Sequence, residues 1–325
     1  MIVSKTVPVL PYVFLACVIC LPAFKYYLLI NQSVVVFQDD DDPSPFDFST
    51  TYLMFPETSA DFTLLVLVTT MASEVELRQQ VRLSWANTTR TRRARVEFLM
   101  GRPTASEMHK LQKEQEIFND LIIADLTESY YGLASKTISM LTYKMRYHPR
   151  SKCLVKADID NVLILDNYLR LCEETVAPLI LGKCDVTRTV KRNETKWAIP
   201  MQVWPYPLFP AYCSTGTYMM AGETLPQMLV NQAMTSKFAS SSNFRKLSED
   251  VLVSGILADA AGVKRRHLSG LSFFEIPEFI CRNSYLQTFS IHLLRDKNPV
   301  KYYRKIMQIE GKLCNWWDIF GYRRR

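Results

Sequence analysis

Short apolar runs alternate with helix-periodic segments along much of this chain, and this alternation restricts its possible folds more than any other feature. The apolar runs have the length of buried strands, and the segments between them have the length of helices. Such alternation predicts an α/β fold with a mostly parallel central sheet flanked by helices. Predicted strands cover residues 63–69, 95–100, 121–124 and 153–157; predicted helices cover residues 74–85, 106–118, 133–147, 161–174, 247–261 and 299–312.

Capping residues and aromatic loops refine this prediction. Ser73 and Thr104 precede two of the helices and are the expected N-caps. The alternation weakens after Gly182, and residues 197–220 are rich in aromatic residues and proline, which is typical of irregular, site-building loops.

The N-terminus carries an apolar segment that an aqueous domain does not accommodate. Residues 7–24 are almost wholly apolar, and Lys25 is followed by a second apolar run at residues 26–30. About 20 apolar residues span a bilayer. We therefore predict a short tail at residues 1–6, a transmembrane signal-anchor at 7–30, a stem at 31–60 and a folded body at 61–325. A cleaved signal peptide is the alternative.

Cysteines and glycosylation tripeptides agree with an oxidising, lumenal environment. Two of the eight cysteines lie in the apolar segment, and the remaining six are an even number, as disulfides require. Their pairing is open. Asn31, Asn87 and Asn193 each begin an Asn-x-Ser/Thr tripeptide.

Two aspartates follow the predicted strand at residues 153–157 and mark a candidate metal site. Asp158 and Asp160 are two residues apart, so in an extended segment their side chains point the same way. Carboxylate oxygens suit Mg²⁺ or Mn²⁺, and such a cation can bridge to the phosphates of a nucleotide. Two ordinary solvated or capping aspartates are the alternative. The chain contains neither a Gly-x-Gly-x-x-Gly motif nor a Walker loop, so any phosphate binding must use a metal and side chains.

Six spaced blocks together resemble one known family. They are Arg78-x-x-x-Arg82-x-x-Trp85, Phe98-Leu99-Met100-Gly101, a long block from Glu114 to Thr137, Lys156-x-Asp158-x-Asp160, Pro210-x-Tyr212-Cys213-x-x-Gly216-x-Tyr218, and Glu249-Asp250-Val251 with Gly255. Their order and spacing are similar to glycosyltransferase family 31, the β-1,3-galactosyltransferase and β-1,3-N-acetylglucosaminyltransferase group. The chain departs from the family at Ile159, where the family usually has a third aspartate.

The resemblance implies a GT-A-like fold, a UDP-sugar donor, Mn²⁺ and inversion at the anomeric carbon. It also implies a single-pass type II Golgi membrane protein with its catalytic domain in the lumen and a glycan acceptor on a glycoprotein or glycolipid. Asp250 would be the catalytic base, and Asp158, Asp160 and His267 would be the metal ligands. The nucleotide-binding candidates are Arg78, Arg82, Asp125, Lys136 and Asp158.

Each of these residues also has a structural interpretation, and the whole chain has a second functional one. Asp250 can be a helix N-terminal aspartate with Ser248 as cap, and His267 a surface histidine beside the basic run at residues 264–266. Ile159 keeps open a catalytically inactive, membrane-tethered relative that binds glycans or acts as a chaperone. Nucleic-acid binding is disfavoured, because the excess of seven basic residues forms no patch interleaved with aromatic side chains.

Overall fold

The computed structural model describes residues 51–57, 62–87, 93–128, 132–184, 188–193, 198–235 and 247–314. The predicted tail and anchor and most of the predicted stem lie outside these ranges. Within the described ranges, no helix is both long enough and apolar enough to cross a membrane.

The described residues form a mixed α/β fold with flanking helices. The strands are β1 Tyr52–Met54, β2 Leu64–Thr69, β3 Ala94–Met100, β4 Leu121–Ala124, β5 Cys153–Asp158, β6 Asn161–Leu163, β7 Leu179–Lys183, β8 Ser214–Ala221, β9 Lys264–His267, β10 Leu271–Ser272, β11 Ile280–Arg282, β12 Tyr285–Gln287 and β13 Ser290–His292. The helices are α1 Val75–Arg82, α2 Ala105–Phe118, α3 Leu133–Tyr147, α4 Leu165–Glu174, α5 Leu225–Thr235, a π-helix Val251–Leu257 continued by α6 Ala258–Ala260, and α7 Pro299–Met307.

The main sheet has the strand order β1-β4-β3-β2-β5-β8-β7-β9. Strands β4, β3, β2 and β5 are parallel, whereas β8 runs antiparallel to both β5 and β7, and β1 runs antiparallel to β4. The sheet is therefore mixed: its neighbouring strands are parallel from β4 to β5 and between β7 and β9, and antiparallel at the other pairs. A smaller sheet joins β10, β13 and β6.

Strand β2 shows why the sheet must be covered on both faces. All six of its residues are buried. Leu64, Val66 and Val68 belong to the core on one face, with α1, α2, α4 and α7, while Leu65 and Leu67 belong to the core on the other face, with α3, α5 and the π-helix. Each such side chain contributes about 1.5–3 kcal/mol by leaving water, so the alternation along β2 fixes both layers.

Local signals explain several helix boundaries and fail at others. Thr104 forms the predicted cap: it accepts from Glu107 N and forms a capping box with that residue. The N-cap of α1 is Glu74, not the predicted Ser73. The helix predicted at residues 161–174 begins only at Leu165, because Asn161–Leu163 pairs with β13 instead.

The six cysteines outside the apolar segment form three disulfides: Cys153–Cys172, Cys184–Cys213 and Cys281–Cys314. This agrees with the even cysteine count and resolves the pairing that the sequence left open. Asn87 and Asn193 are both exposed.

Candidate active site

The candidate site begins where β5 ends. Asp158 is the last residue of β5 and lies in register with Thr69, the last residue of β2. Thr69 Oγ1 donates to Asp158 Oδ1 at 2.6 Å, and Lys156 Nζ lies 2.7 Å from the same oxygen. Since Oδ1 has two donors, the carboxylate is fixed in one orientation. The ends of strands at such an edge are where α/β proteins bind ligands.

The second aspartate lies in the turn after β5. Asp160 Oδ1 is 3.3 Å from His292 Nε2, and Asp160 Oδ2 is 3.5 Å from Lys297 Nζ. Burial alone would raise the pKa of Asp160, but these two partners hold it below its ordinary value. The hydrogen bond with Asp160 in turn raises the pKa of His292 above its ordinary value.

The small sheet explains how residues more than 130 positions apart meet at Asp160. Strand β13 pairs antiparallel with β6, which places His292 opposite Asn161. The pairing continues into the turn, where Leu293 N donates to Asp160 O at 2.8 Å. His292, which is not among the predicted metal ligands, therefore lies beside Asp160.

A second wall of the site is the start of the π-helix. Asp250 is its N-cap, and Asp250 Oδ1 accepts from Val251 N at 2.9 Å. Glu249, immediately before it, is buried; its Oε1 accepts from Tyr218 Oη at 2.6 Å and its Oε2 lies 3.3 Å from Lys156 Nζ. π-Helical turns are rare and occur often at functional sites.

Gly216 on β8 closes the space between the two aspartates. A Cβ atom at this position would lie 2.7 Å from Asp158 Oδ2 and 2.5 Å from Asn161 Nδ2. Asn161 Nδ2 is in turn 3.4 Å from Asp160 Oδ1. Asp158 and Asp160 therefore border one region, although Asp160 lies in a turn and not in the extended segment that the sequence predicted.

The aromatic side chains predicted in the loops after Gly182 have mixed positions. Tyr212 is half-buried, and burial together with the charge of Asp250 raises its pKa to about 12. Cys213, the residue after Tyr212, donates its backbone N–H to Ser254 Oγ in the π-helix at 2.9 Å. Trp204 and Tyr218 are buried in the core.

Two predicted nucleotide-binding arginines bind the protein itself. The Arg78 side chain is fully buried and makes two bonds to Glu114, with further bonds to Thr70, Met71 O and Ala72 O. These contacts use its five N–H donors, so Arg78 supports the loop after β2 and has no donor left for a nucleotide.

Arg82 is likewise held by protein groups. It pairs with Glu114 at 2.7 Å and Asp120 at 2.8 Å, and its guanidinium stacks 4.0 Å from the centre of the Phe118 ring. These contacts through Nε and Nη2 join α1 to α2 and the start of β4, so Arg82 has a structural role.

Two other nucleotide-binding candidates lie at the edge of the sheet where β2, β3 and β4 end. Lys136 Nζ donates to Thr70 O at 3.0 Å and pairs with Glu128 at 2.6 Å, and Glu128 accepts from Gly101 N. Lys136 thereby connects the loops after β2, β3 and β4. Asp125 pairs with Arg102 and stays partly exposed.

The predicted metal-ligand set is not assembled as a trio. His267 ends β9, which lies three strands from β5 in the main sheet. Within the described part of the chain, no group of three or more His, Cys, Asp or Glu side chains is arranged to hold a metal ion. At the end of β5, Asp160 and His292 provide a suitable carboxylate oxygen and imidazole nitrogen.

Four residues of the site make contacts that sequence patterns do not predict: Lys156, Glu249, Tyr218 and His292. Lys156 and Glu249 lay inside the motifs, but their neighbours across the sheet did not follow from periodicity. No local pattern separates Tyr218 from the other aromatic residues at 197–220; the pairing of β5 with β8 places it opposite Lys156.

Comparisons with known proteins show which family this chain resembles. The model of the family described as Galactosyltransferase matches residues 76–269. Human beta-1,3-galactosyltransferase 1 is 23% identical over 238 residues, covering 70% of this chain and 69% of that protein. Beta-1,3-galactosyltransferase bre-2 of Caenorhabditis elegans is 26% identical over 239 residues, covering 69% and 65%. The solved structure of the galactosyltransferase LgtC with donor and acceptor sugar analogs has a TM-score of 0.41 at 8% identity, covering 78% of this chain and 99% of that one.

Proposed function

Because this chain belongs to the galactosyltransferase family and is a glycosyltransferase, we propose that it transfers galactose or N-acetylglucosamine from a UDP-sugar to a glycan hydroxyl. The product would be a β-1,3 linkage on a glycoprotein or glycolipid, formed with inversion. One observation carries this proposal: the buried Lys156 joins Asp158, on the donor side, to Glu249, the neighbour of Asp250 on the acceptor side.

The donor side has the groups that a nucleotide diphosphate requires. Asp160 and His292 offer Mn²⁺ an oxygen and a nitrogen 3.3 Å apart, and the diphosphate and water would complete its ligand shell. When bound, this ion supplies Lewis-acid neutralisation of the departing diphosphate. Lys297, 3.5 Å from Asp160, adds positive charge. Asp158 Oδ2 contacts the ribose or a water molecule in this proposal.

On the acceptor side, the proposed general base is the carboxylate of Asp250, at the start of the π-helix. Asp250 accepts the proton of the acceptor hydroxyl, whose oxygen forms a bond to the anomeric carbon. The bond from that carbon to the diphosphate oxygen breaks, and UDP leaves with the electron pair. Such a base typically contributes about 10²–10⁴-fold to the rate.

The cellular location is proposed from chemistry outside the site. Three disulfides support an oxidising compartment, and residues 7–30 are apolar enough for an anchor. We propose a type II Golgi membrane protein whose catalytic domain lies in the lumen. This domain, predicted at residues 61–325, also includes β1 at Tyr52–Met54, which pairs with β4 in the main sheet.

The test is UDP release by the full chain with Mn²⁺ and UDP-galactose, UDP-N-acetylglucosamine or UDP-N-acetylgalactosamine, with glycan acceptors. Asp250→Asn should lower kcat about 10²-fold or more. Asp166→Asn is the matched control, because Asp166 also lies in a helix first turn but is exposed on α4; this variant should keep wild-type turnover.

Two results would contradict the proposal. A folded Asp250→Asn protein with wild-type kcat would show that Asp250 is not the catalytic base. Wild-type protein that shows no Mn²⁺-dependent UDP binding by calorimetry would instead support the catalytically inactive relative.

A further inference from the structure

A buried cluster of charges lies beneath the candidate site. Lys156 is 3% exposed and Glu249 is 9% exposed. Lys156 Nζ contacts Asp158 Oδ1 at 2.7 Å and Glu249 Oε2 at 3.3 Å. Removing such charges from water is strongly unfavourable unless their partners compensate, so a buried ion pair is unexpected at a sheet position where an apolar side chain would pack.

The partners of this cluster leave a specific set of atoms free for chemistry. Both carboxylate oxygens of Glu249 are engaged, one by Tyr218 and one by Lys156. Asp158 Oδ1 is engaged by Thr69 and Lys156, whereas Asp158 Oδ2 faces Gly216. Glu249 is therefore badly placed to hold an acceptor sugar, and Asp158 presents one defined oxygen.

Lys156 joins two elements that carry opposite sides of the proposed reaction. Asp158 lies on β5, and Glu249 precedes Asp250 at the start of the π-helix. Tyr218 lies opposite Lys156 in the β5–β8 pairing, and its Oη donates to Glu249 Oε1 at 2.6 Å, so the phenol lies beside this link. A change in the ammonium position thus moves both a donor-side and an acceptor-side carboxylate.

We propose that Lys156 and Glu249 are positioning residues: Lys156 orients Asp158 toward the donor and, through Glu249, sets the position of the Asp250 backbone. This inference rests on the proposed function. Glu249 is also held by its hydrogen bond with Tyr218, whereas Lys156 contacts Asp158 directly. Lys156 and Glu249 therefore act on different steps. Lys156 affects donor binding and turnover together, whereas Glu249 affects turnover alone.

The experiment measures kcat and donor KM for the full chain with the best UDP-sugar, together with UDP affinity by calorimetry. Lys156→Met should raise donor KM and the UDP dissociation constant roughly fivefold or more, and lower kcat about 10–100-fold, the loss expected from a misplacement near 1 Å. Glu249→Gln keeps the shape and the contact with Tyr218; it should lower kcat about tenfold and leave donor KM within about twofold.

The control is Lys144→Met, which also removes a buried lysine. Lys144 donates to Pro149 O and Glu223 O, at the edge where β5 begins, so its loss should leave kcat and donor KM within about twofold at temperatures where the protein is folded. If Lys156→Met does not fold, Lys156→Met/Glu249→Gln replaces it, because this pair removes both buried charges; the same kcat and KM losses are expected.

The outcomes separate this inference from the proposed function. Folded Lys156→Met or the double variant with wild-type kcat, donor KM and UDP affinity would overturn the positioning role while wild-type turnover still stands. A Glu249→Gln variant whose donor KM rises as much as that of Lys156→Met would overturn the division of steps. Wild-type protein that neither binds UDP nor turns over a UDP-sugar would overturn the proposed function and this inference with it.

Discussion

Replacing Gly216 by alanine should damage activity more than stability. The added Cβ atom would lie 2.7 Å from Asp158 Oδ2, whereas ordinary contact begins near 3.4 Å. The carboxylate must therefore move by about 0.7 Å, the difference between these distances, and Asn161 Nδ2, at 2.5 Å from the added atom, must also move. Asp158 cannot rotate freely, because Thr69 and Lys156 both hold Oδ1.

The two losses have different sizes because they have different causes. Overpacking one methyl group typically costs about 1–3 kcal/mol of unfolding free energy, which a folded domain tolerates at low temperature. A displacement of this size at a reacting group typically lowers kcat by about 10–100-fold. We expect a folded Gly216→Ala protein whose UDP-sugar turnover falls by that factor, measured by UDP release, while urea denaturation shows the smaller loss.

Gly182→Ala is the matched control on the neighbouring strand β7. Its Cβ atom would lie 2.9 Å from Tyr218 Cβ and 3.0 Å from Cys213 Cβ, so the overpacking is similar but does not touch either aspartate. We expect a comparable loss of stability and a smaller loss of kcat. Equal turnover losses in both variants, or wild-type turnover of Gly216→Ala, would refute the steric reasoning.

Three further outcomes follow from buried groups. Arg78→Met should lower the unfolding free energy, measured by urea titration, by about 3–5 kcal/mol, because Glu114 loses a buried partner. Arg102→Met, which removes a more exposed arginine, should cost less than about 1 kcal/mol in the same titration. Equal losses would contradict the structural role of Arg78. Ile159→Asp, which restores the family residue, should destabilise by about 3 kcal/mol or more without raising turnover, because Ile159 is 5% exposed and packs in the core; increased UDP-sugar turnover would show the opposite. The unfolding free energy should fall above pH 10 by about 1.4 kcal/mol per pH unit for each of three tyrosines, because burial raises their pKa in the folded protein and the unfolded chain ionises first. Absorbance at 295 nm should show that these phenols stay un-ionised until the protein unfolds. Complete tyrosine titration in the folded protein would contradict this expectation. These tyrosines are Tyr143, Tyr168 and Tyr218.

The sequence predicted elements that depend on local chemistry. The strand Leu121–Ala124 and the helix Leu133–Tyr147 have the predicted bounds, and Thr104 caps its helix as expected. Hydrophobic periodicity and capping are properties of a short window, so they can be read along the chain. Strand pairing is not such a property: Ser214–Ala221 begins within the stretch predicted as irregular loops, yet it forms β8 because it pairs antiparallel with both β5 and β7.

The site illustrates the same division at the level of single residues. The motifs located Asp158, Asp160 and Asp250, because carboxylates at a strand end and a helix start lie within short windows. They could not identify the histidine beside Asp160, since His292 arrives through the pairing of β6 with β13. They also could not separate arginines that face a ligand from arginines that hold the scaffold, because both meet carboxylates or phosphates through the same five donors.

Lys156 shows why this limit matters for mechanism. In the sequence it is the one charged residue of an apolar strand, and it adds nothing to a hydrophobic pattern. In the fold, its neighbours on β8 and the π-helix turn it into a link between two carboxylates from distant segments. A charged residue at a strand position where the pattern predicts an apolar one therefore indicates specific partners, because a buried charge is costly unless it is paired. Those partners are the groups whose relative positions the charge maintains. At Lys156 those groups are Asp158 and the carboxylate next to Asp250.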